Sequence, residues 1–280
     1  LIVLYAFVMA LAVTANILVI AVVFKYHYMR SVTNYFVVNL SVADLLVTTI
    51  CMPVAVSQAV SLKWIHGEVM CKLSFYLQGV AVAASVFTIT AMSIDRYLAI
   101  RSPIAFRRVF NRKSTVFVII ALWVVALIIF SPLLRVVYAI PGKITPFTRP
   151  LFSIYVHFLD FYHAGFVVVL SYIMMGRTLC ARKPPFDCDG AQSFRLVRER
   201  RRIAWILLLL AVLFALCWLP YNVLMLLKDL DVIKIEPNII EFRYKAFKSL
   251  FLGHANSALN PTVYCFMTRN FRQNVTEILC

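Results

Sequence analysis

Charge is scarce in this chain. Only 14% of its 280 residues are Asp, Glu, Lys or Arg, while 62% are hydrophobic. Soluble domains sit nearer ~25% charged and ~45–50% apolar, so most of this chain belongs in a bilayer. Glycine and proline are also few, 7 and 11, which excludes low-complexity and disordered character. No internal repeat and no independent soluble domain is visible. Runs of ~10 alternating residues, the mark of a membrane barrel, are missing as well. What is left is helix.

Apolar segments fall at Ile2–Phe24, Tyr35–Val60, Lys72–Ile100, Ser114–Leu134, Leu151–Leu179, Ile203–Leu227 and Ala246–Phe266. Each is long enough for the ~20 residues that a spanning helix requires. The expected fold is an all-α membrane protein, a seven-transmembrane helix bundle forming one domain over residues 1–280. Leu1 already lies inside an apolar run, so residues are expected to precede it.

The net charge of +16 would suggest nucleic acid in a soluble protein, but here the cations sort by side. The stretches before Tyr35, between Arg101 and Lys113, between Arg177 and Arg202, and after Met267 hold 17 of the 28 lysines and arginines. The positive-inside bias puts those stretches in the cytoplasm and the N-terminus outside. No nucleic-acid partner is expected. The run Arg195–Arg202 reads either as a helix start against lipid headgroups or as a partner contact.

The third segment organises the rest. Gln78, Val82, Ser85, Ile89, Met92 and Arg96 recur at steps of three or four and share one helical face. At ~1.5 Å per residue the span from Gln78 to Arg96 is roughly 27 Å, nearly the ~30 Å hydrocarbon thickness. Polar groups on a lipid-facing stripe would be expensive, so this face points into the bundle. Asp95 beside Arg96 can hold the guanidinium in a fixed pose.

Other polar positions stand out against the apolar runs. Asn16 is expected to bond a neighbouring helix. Thr33-Asn34 is expected to cap the second helix. Asp44, roughly 15 Å into that helix, is an ionisable group at membrane depth and a functional candidate. Pro53 is expected to kink it. Trp64 suits a membrane interface, and Trp123 reads as packing or lipid contact. Pro220 bends the sixth segment beside Trp218, Tyr221 and Asn222. Gly253, Asn256, Asn260 and Tyr264 share a face of the seventh. Beyond it, Arg269–Leu279 alternates basic and apolar residues, as a short interfacial eighth helix would. Cys280 is a lipidation candidate.

Asn16, Asn39-Leu-Ser-Val-Ala-Asp44, Cys71, Ser93-Ile-Asp-Arg96-Tyr97, Trp123, Tyr172, Cys217-Trp-Leu-Pro220 and Asn260-Pro-Thr-Val-Tyr264 occur in order, one set per helix. Together they resemble a rhodopsin-like (class A) G-protein-coupled receptor. Met29–Asp44 and Tyr76-Leu-Gln78 resemble the neuropeptide receptors of the orexin, allatotropin and trissin-like groups. Amine receptors of the family place an Asp where Gln78 stands, and opsins a Lys where His254 stands, so the resemblance implies a peptide ligand.

The resemblance also implies roles. Gln78, Val82, Tyr221, Asn222, Met225 and His254 would contact the ligand. Trp218, Pro220, Asn260, Pro261 and Tyr264 would switch. Asp95, Arg96, Tyr97 and Tyr172 would couple to a heterotrimeric G protein, with arrestin and membrane lipid as further partners. Asp44, Ser85, Asn256 and Asn260 would form a site for allosteric Na+; no other cofactor is implied. The expected location is the plasma membrane, multi-pass, and the chain itself would be no enzyme.

Three positions depart from the family pattern. Cys71 should pair with a Cys in the second outer loop, but Arg135–Pro150 contains none. Ala164 stands where the fifth helix has a Pro. Arg200, with Glu199 alongside, replaces an acid of the sixth helix. These keep alternatives open: a receptor-like protein that folds poorly or does not signal, or a transporter using Asp44, Asp95 and Arg96 as a relay.

Overall fold

The computed structural model describes residues 2–61, 65–101, 111–136, 190–230 and 239–279, plus positions 169, 173, 177 and 232, with only the backbone over 190–201 and at 100, 101, 136, 239, 266, 267, 269, 270 and 279. Every described element is helical: α1 (Ile2–Lys25), α2 (Val32–Val60), α3 (Gly67–Arg101), α4 (Arg112–Phe130), α5 (Gly190–Asp229), α6 (Ile239–Met267) and α7 (Arg269–Leu279). A single turn at Leu133–Val136 extends α4 past Ser131 and Pro132. The first to fourth apolar segments thus lie on α1 to α4, the sixth on α5 and the seventh on α6.

Five described helices are long and apolar enough to cross a membrane: Ile2–Lys25, Val32–Val60, Gly67–Ala99, Arg112–Arg135 and Arg202–Asp229. The seventh segment falls below that apolarity for a local reason. His254, Asn256, Ser257 and Asn260 interrupt it, and all four are buried inside the bundle rather than facing lipid. The outward faces are the reverse. Phe117 is 72% exposed and Ile128 65%, with Val116, Ile120 and Val124 beside them on α4. So wide an apolar exterior is at odds with water and fits a bilayer. Val169, Ile173 and Arg177 are helical and exposed; the remainder of Leu151–Leu179 lies outside the described residues. So do Trp64, the second outer loop, Tyr162–Gly165, Tyr172 and Cys280, and the side chains of Glu199 and Arg200.

The packing order is legible from the neighbours. α1 lies against α2 and α6, α2 against α3, α3 against α4 and α5, and α5 along α6. The main core cluster joins Val19 and Val22 of α1, Phe36 and Leu40 of α2, Ile89 and Met92 of α3, Leu207, Leu210 and Trp218 of α5, and Tyr264 of α6. The α3 face behaves as its spacing requires: Ser85, Ile89, Met92 and Arg96 are buried, and Gln78 and Val82 are half-buried.

Local expectations are met in part. Asn16 donates to Ala12 O at 2.8 Å on its own helix and to Ser257 O at 2.9 Å on α6, so it does tie two helices. The cap of α2 is not Thr33-Asn34 but Ser31, whose hydroxyl accepts from the Asn34 N–H at 3.3 Å. The helix begins at Val32, so Ser31 takes the extended position that capping needs and Thr33 falls inside the first turn. α3 likewise starts at Gly67, before Cys71, from a φ of +74° that favours glycine. Pro53 does not break α2. Val47–Cys51 widen into a π-helical stretch, with the Met52 N–H bonded to Val47 O. That widening absorbs the ring that would otherwise meet a carbonyl one turn back.

Trp123 does more than fill space. Its Nε1 donates to Asn39 Oδ1 at 2.7 Å, and Asn39 Nδ2 donates to Thr88 Oγ1 at 2.7 Å. One chain of polar groups thereby links α4, α2 and α3. α7 is the expected eighth helix: Phe271 is buried in the main core, and Asn274 accepts from the Tyr28 hydroxyl.

Candidate functional site

The described residues inside the bundle include two polar centres and an aromatic one. Each is built from side chains on different helices.

The first centre surrounds Arg96. The α3 periodicity turns Asp95 and Arg96 inward near the end of the helix; Asp95 has no exposed surface and Arg96 only 8%. Arg96 Nε donates to Asp95 Oδ2 at 2.8 Å, and one terminal nitrogen reaches the same oxygen. That nitrogen also donates to Thr33 Oγ1 at 2.7 Å, across to α2. A buried ion pair holds only when its geometry is good and further bonds complete it. Here one further bond comes from Thr33, whose hydroxyl is available because Ser31 does the capping. Tyr97 is half-buried beside the pair. Tyr264 lies inside the bundle on α6, its hydroxyl directed at Met92 Sδ at 3.7 Å.

The second centre is at mid-depth. Asp44 of α2 is 2% exposed and accepts from Asn260 Nδ2 at 2.9 Å. Asn256, on the same face of α6, is equally buried. The Oδ1 atoms of both Asn256 and Asn260 have no hydrogen-bond partner. Ser85 is buried and donates to its own helix at Ala81 O, 3.0 Å, which leaves its oxygen lone pairs open. A carboxylate, two amide oxygens and a hydroxyl are thus buried here, and hard oxygen ligands of this kind suit an alkali or alkaline-earth cation. The donor chemistry of these four side chains is compatible with Na+.

The third centre is aromatic and lies between α1, α5 and α6. Trp218 is 5% exposed. Tyr221 meets it edge-on with centroids 6.3 Å apart, and His254 does so at 6.2 Å. Asn222 Nδ2 donates to the Trp218 carbonyl at 2.9 Å, so this amide braces the helix around Pro220. Phe214 sits one turn along, 6.2 Å from the Trp218 ring. The face of Trp218 lies on Gly253 of α6, where an added Cβ would stand 2.9–3.1 Å from three indole carbons. Only glycine admits that approach.

Of the six expected ligand contacts, Val82 and Tyr221 pack against the core cluster that contains Trp218. Tyr221, Asn222 and His254 converge on Trp218. Gln78, Val82 and Met225 are half-buried. His254 is fully buried, and its Nδ1 shares a 2.7 Å hydrogen bond with the hydroxyl of Tyr5. Cys71 is a buried free thiol packed with Val80, Ala126 and Phe130. The main residues that sequence reasoning missed are Tyr5, Thr33 and the packing role of Gly253. Tyr5 carried one signal: a phenol inside an apolar helix needs a partner for its hydroxyl.

Comparison with known proteins agrees with this layout. The chain is 28% identical over 293 residues to a QRFP-like peptide receptor of Branchiostoma floridae, covering 98% of this chain and 76% of that protein. It is 26% identical over 296 residues to the pyroglutamylated RF-amide peptide receptor of Rattus norvegicus, and likewise to that of Mus musculus, covering 98% of this chain and 68% of each. Residues 15–264 match the 7 transmembrane receptor (rhodopsin family) profile, so that with a buried Asp95–Arg96 pair, a mid-depth Asp44 and a core Trp218 in place, the chain belongs to the rhodopsin family of seven-transmembrane receptors.

Proposed function

We propose that this chain is a plasma-membrane receptor for a neuropeptide, reading the ligand on its outer side and activating a heterotrimeric G protein at its cytoplasmic face. The observation that carries the reading is the α3 face. Half-buried Gln78 and the Asp95–Arg96 pair lie on one continuous helix, Gly67–Arg101, so an event at one end is mechanically joined to the other. The named relatives are peptide receptors, which supports a peptide, with amidated RF-type sequences the first to try.

In this mechanism the peptide contacts Gln78, Val82, Tyr221 and Met225, and acts on Asn222 and His254 around Trp218. It shifts an existing equilibrium by its differential affinity for the two states. Trp218 leaves its seat on Gly253, and the helix swings at Pro220, whose ring removes the bond to the Leu216 carbonyl. Arg96 is then released from Asp95 and Thr33, with Tyr264 and Tyr172 taking it up. The opened groove accepts a helix of the G protein; arrestin would use the same opening. Nucleotide exchange takes place on the G protein, so the receptor carries out no covalent chemistry.

Asp44, Ser85, Asn256 and Asn260 would hold Na+. A cation there neutralises a buried carboxylate and favours whichever state brings the donors together. By linkage it then opposes an agonist that prefers the other state. Arg269–Leu279 would lie along the inner leaflet, with Cys280 available for acylation.

The test is nucleotide exchange on a purified heterotrimer, with the receptor in nanodiscs, challenged with amidated peptides. Arg96→Ala should abolish peptide-driven exchange while leaving peptide binding within a few-fold. Undiminished exchange by that variant would remove the reading.

A further inference from the structure

We propose that Tyr5 of α1 is a positioning residue for the Trp218 switch, acting through His254. This rests on the receptor reading above and adds α1 to its moving parts.

Tyr5 has no exposed surface, and its ring is clamped on α6. It stacks on Phe247 with centroids 5.1 Å apart and meets Phe251 edge-on at 4.8 Å. That clamp holds the hydroxyl 2.7 Å from His254 Nδ1, a contact bridging 249 positions of chain. His254 is also wholly buried and stands edge-on to Trp218 at 6.2 Å. Its Nε2 has no hydrogen-bond partner. The imidazole therefore has a single polar anchor, and that anchor belongs to another helix. Without it only packing holds the ring, and any turn about its side-chain bonds changes the edge it presents to Trp218.

The consequence has a sign. In this structure Arg96 is still retained by Asp95 and Thr33, so the arrangement is the resting one. The bond opposes activation to the extent that the departure of Trp218 from its seat on Gly253 breaks it. Tyr5→Phe removes only the hydroxyl and keeps the ring stack. Loss of one net hydrogen bond corresponds to about a fivefold shift in the resting-to-active ratio.

The experiment is a double-mutant cycle on ligand-free nucleotide exchange, counting only the part abolished by Arg96→Ala and normalised to receptor number. Tyr5→Phe should raise that exchange about fivefold over wild type. In a His254→Phe background, where the anchor has nothing to hold, the same change should alter it less than twofold. In parallel, the 19F resonance of Trp218 in 5-fluorotryptophan-labelled receptor, assigned with Trp218→Phe, should move on Tyr5→Phe in the wild-type background only. A Tyr5→Phe effect that persists in the His254→Phe background, or a Trp218 resonance indifferent to Tyr5→Phe, overturns the proposal. Absence of any exchange dependent on Arg96, in every variant and with peptide present, would instead overturn the receptor reading beneath it.

Discussion

Replacing Asp95 by Asn isolates the restraint on Arg96. Asn keeps the shape and a carbonyl acceptor but discards the charge. In the structure two donors of Arg96 converge on one carboxylate oxygen, with the Nε contact at 2.8 Å, in a site where Asp95 is fully buried and Arg96 8% exposed. Bonds between charged groups are worth ~1.5–3 kcal/mol, about twice neutral ones. Because both donors share one oxygen, the loss counts once, at ~1.5–2 kcal/mol. That corresponds to a roughly 10–30-fold rise in the ratio of released to held Arg96. Ligand-free exchange by the purified receptor in nanodiscs should rise accordingly. Thr33→Val supplies the internal scale: it removes one bond from the Arg96 guanidinium to a neutral hydroxyl at 2.7 Å, without the charge attraction of the Asp95 pair, and should raise exchange by less. Exchange by Asp95→Asn within twofold of wild type, or a larger effect from Thr33→Val, would refute the claim that this pair holds the resting state.

Other perturbations test the remaining centres. Gly253→Ala drives a methyl to 2.9–3.1 Å from the Trp218 ring and should cost ~1–3 kcal/mol of overpacking, read as a lower melting temperature of the purified receptor. Asp44→Asn should abolish the sodium dependence of peptide binding, measured by titrating NaCl against a potassium control; persistence of that dependence would place the ion elsewhere. Trp123→Phe strips the 2.7 Å bond from Asn39 Oδ1 and should cost ~0.6–1.7 kcal/mol, the range for polar contacts between membrane helices, seen as reduced thermal stability without a change in agonist potency.

Much of this architecture was readable before any coordinates. The α3 face followed from spacing, because a helix buries one stripe and every third or fourth residue falls on it. The tie from Asn16 followed from the cost of an unpaired amide in hydrocarbon. The cap of α2 was misplaced by two residues. Serine and threonine are both good caps; the helix begins at Val32, so Ser31 caps it and Thr33, in the first turn, is left to meet Arg96. The role of Trp123 was underestimated for a similar reason, since its indole N–H found Asn39, 84 positions away. The contacts of His254 and Asn222 with Trp218 depend on side-chain packing that spacing does not show.

Composition and periodicity alone determined that this is a membrane bundle, roughly where its apolar segments run and which stripe of the third turns inward. The bilayer dictates those features residue by residue, because each segment must satisfy its own backbone and hide its own polar groups. Only the tertiary structure decided the pairings: Thr33 with Arg96, Tyr5 with His254, Gly253 against Trp218. A partner is chosen by the rotation and depth of two packed helices, and neither quantity is encoded in the spacing along either one.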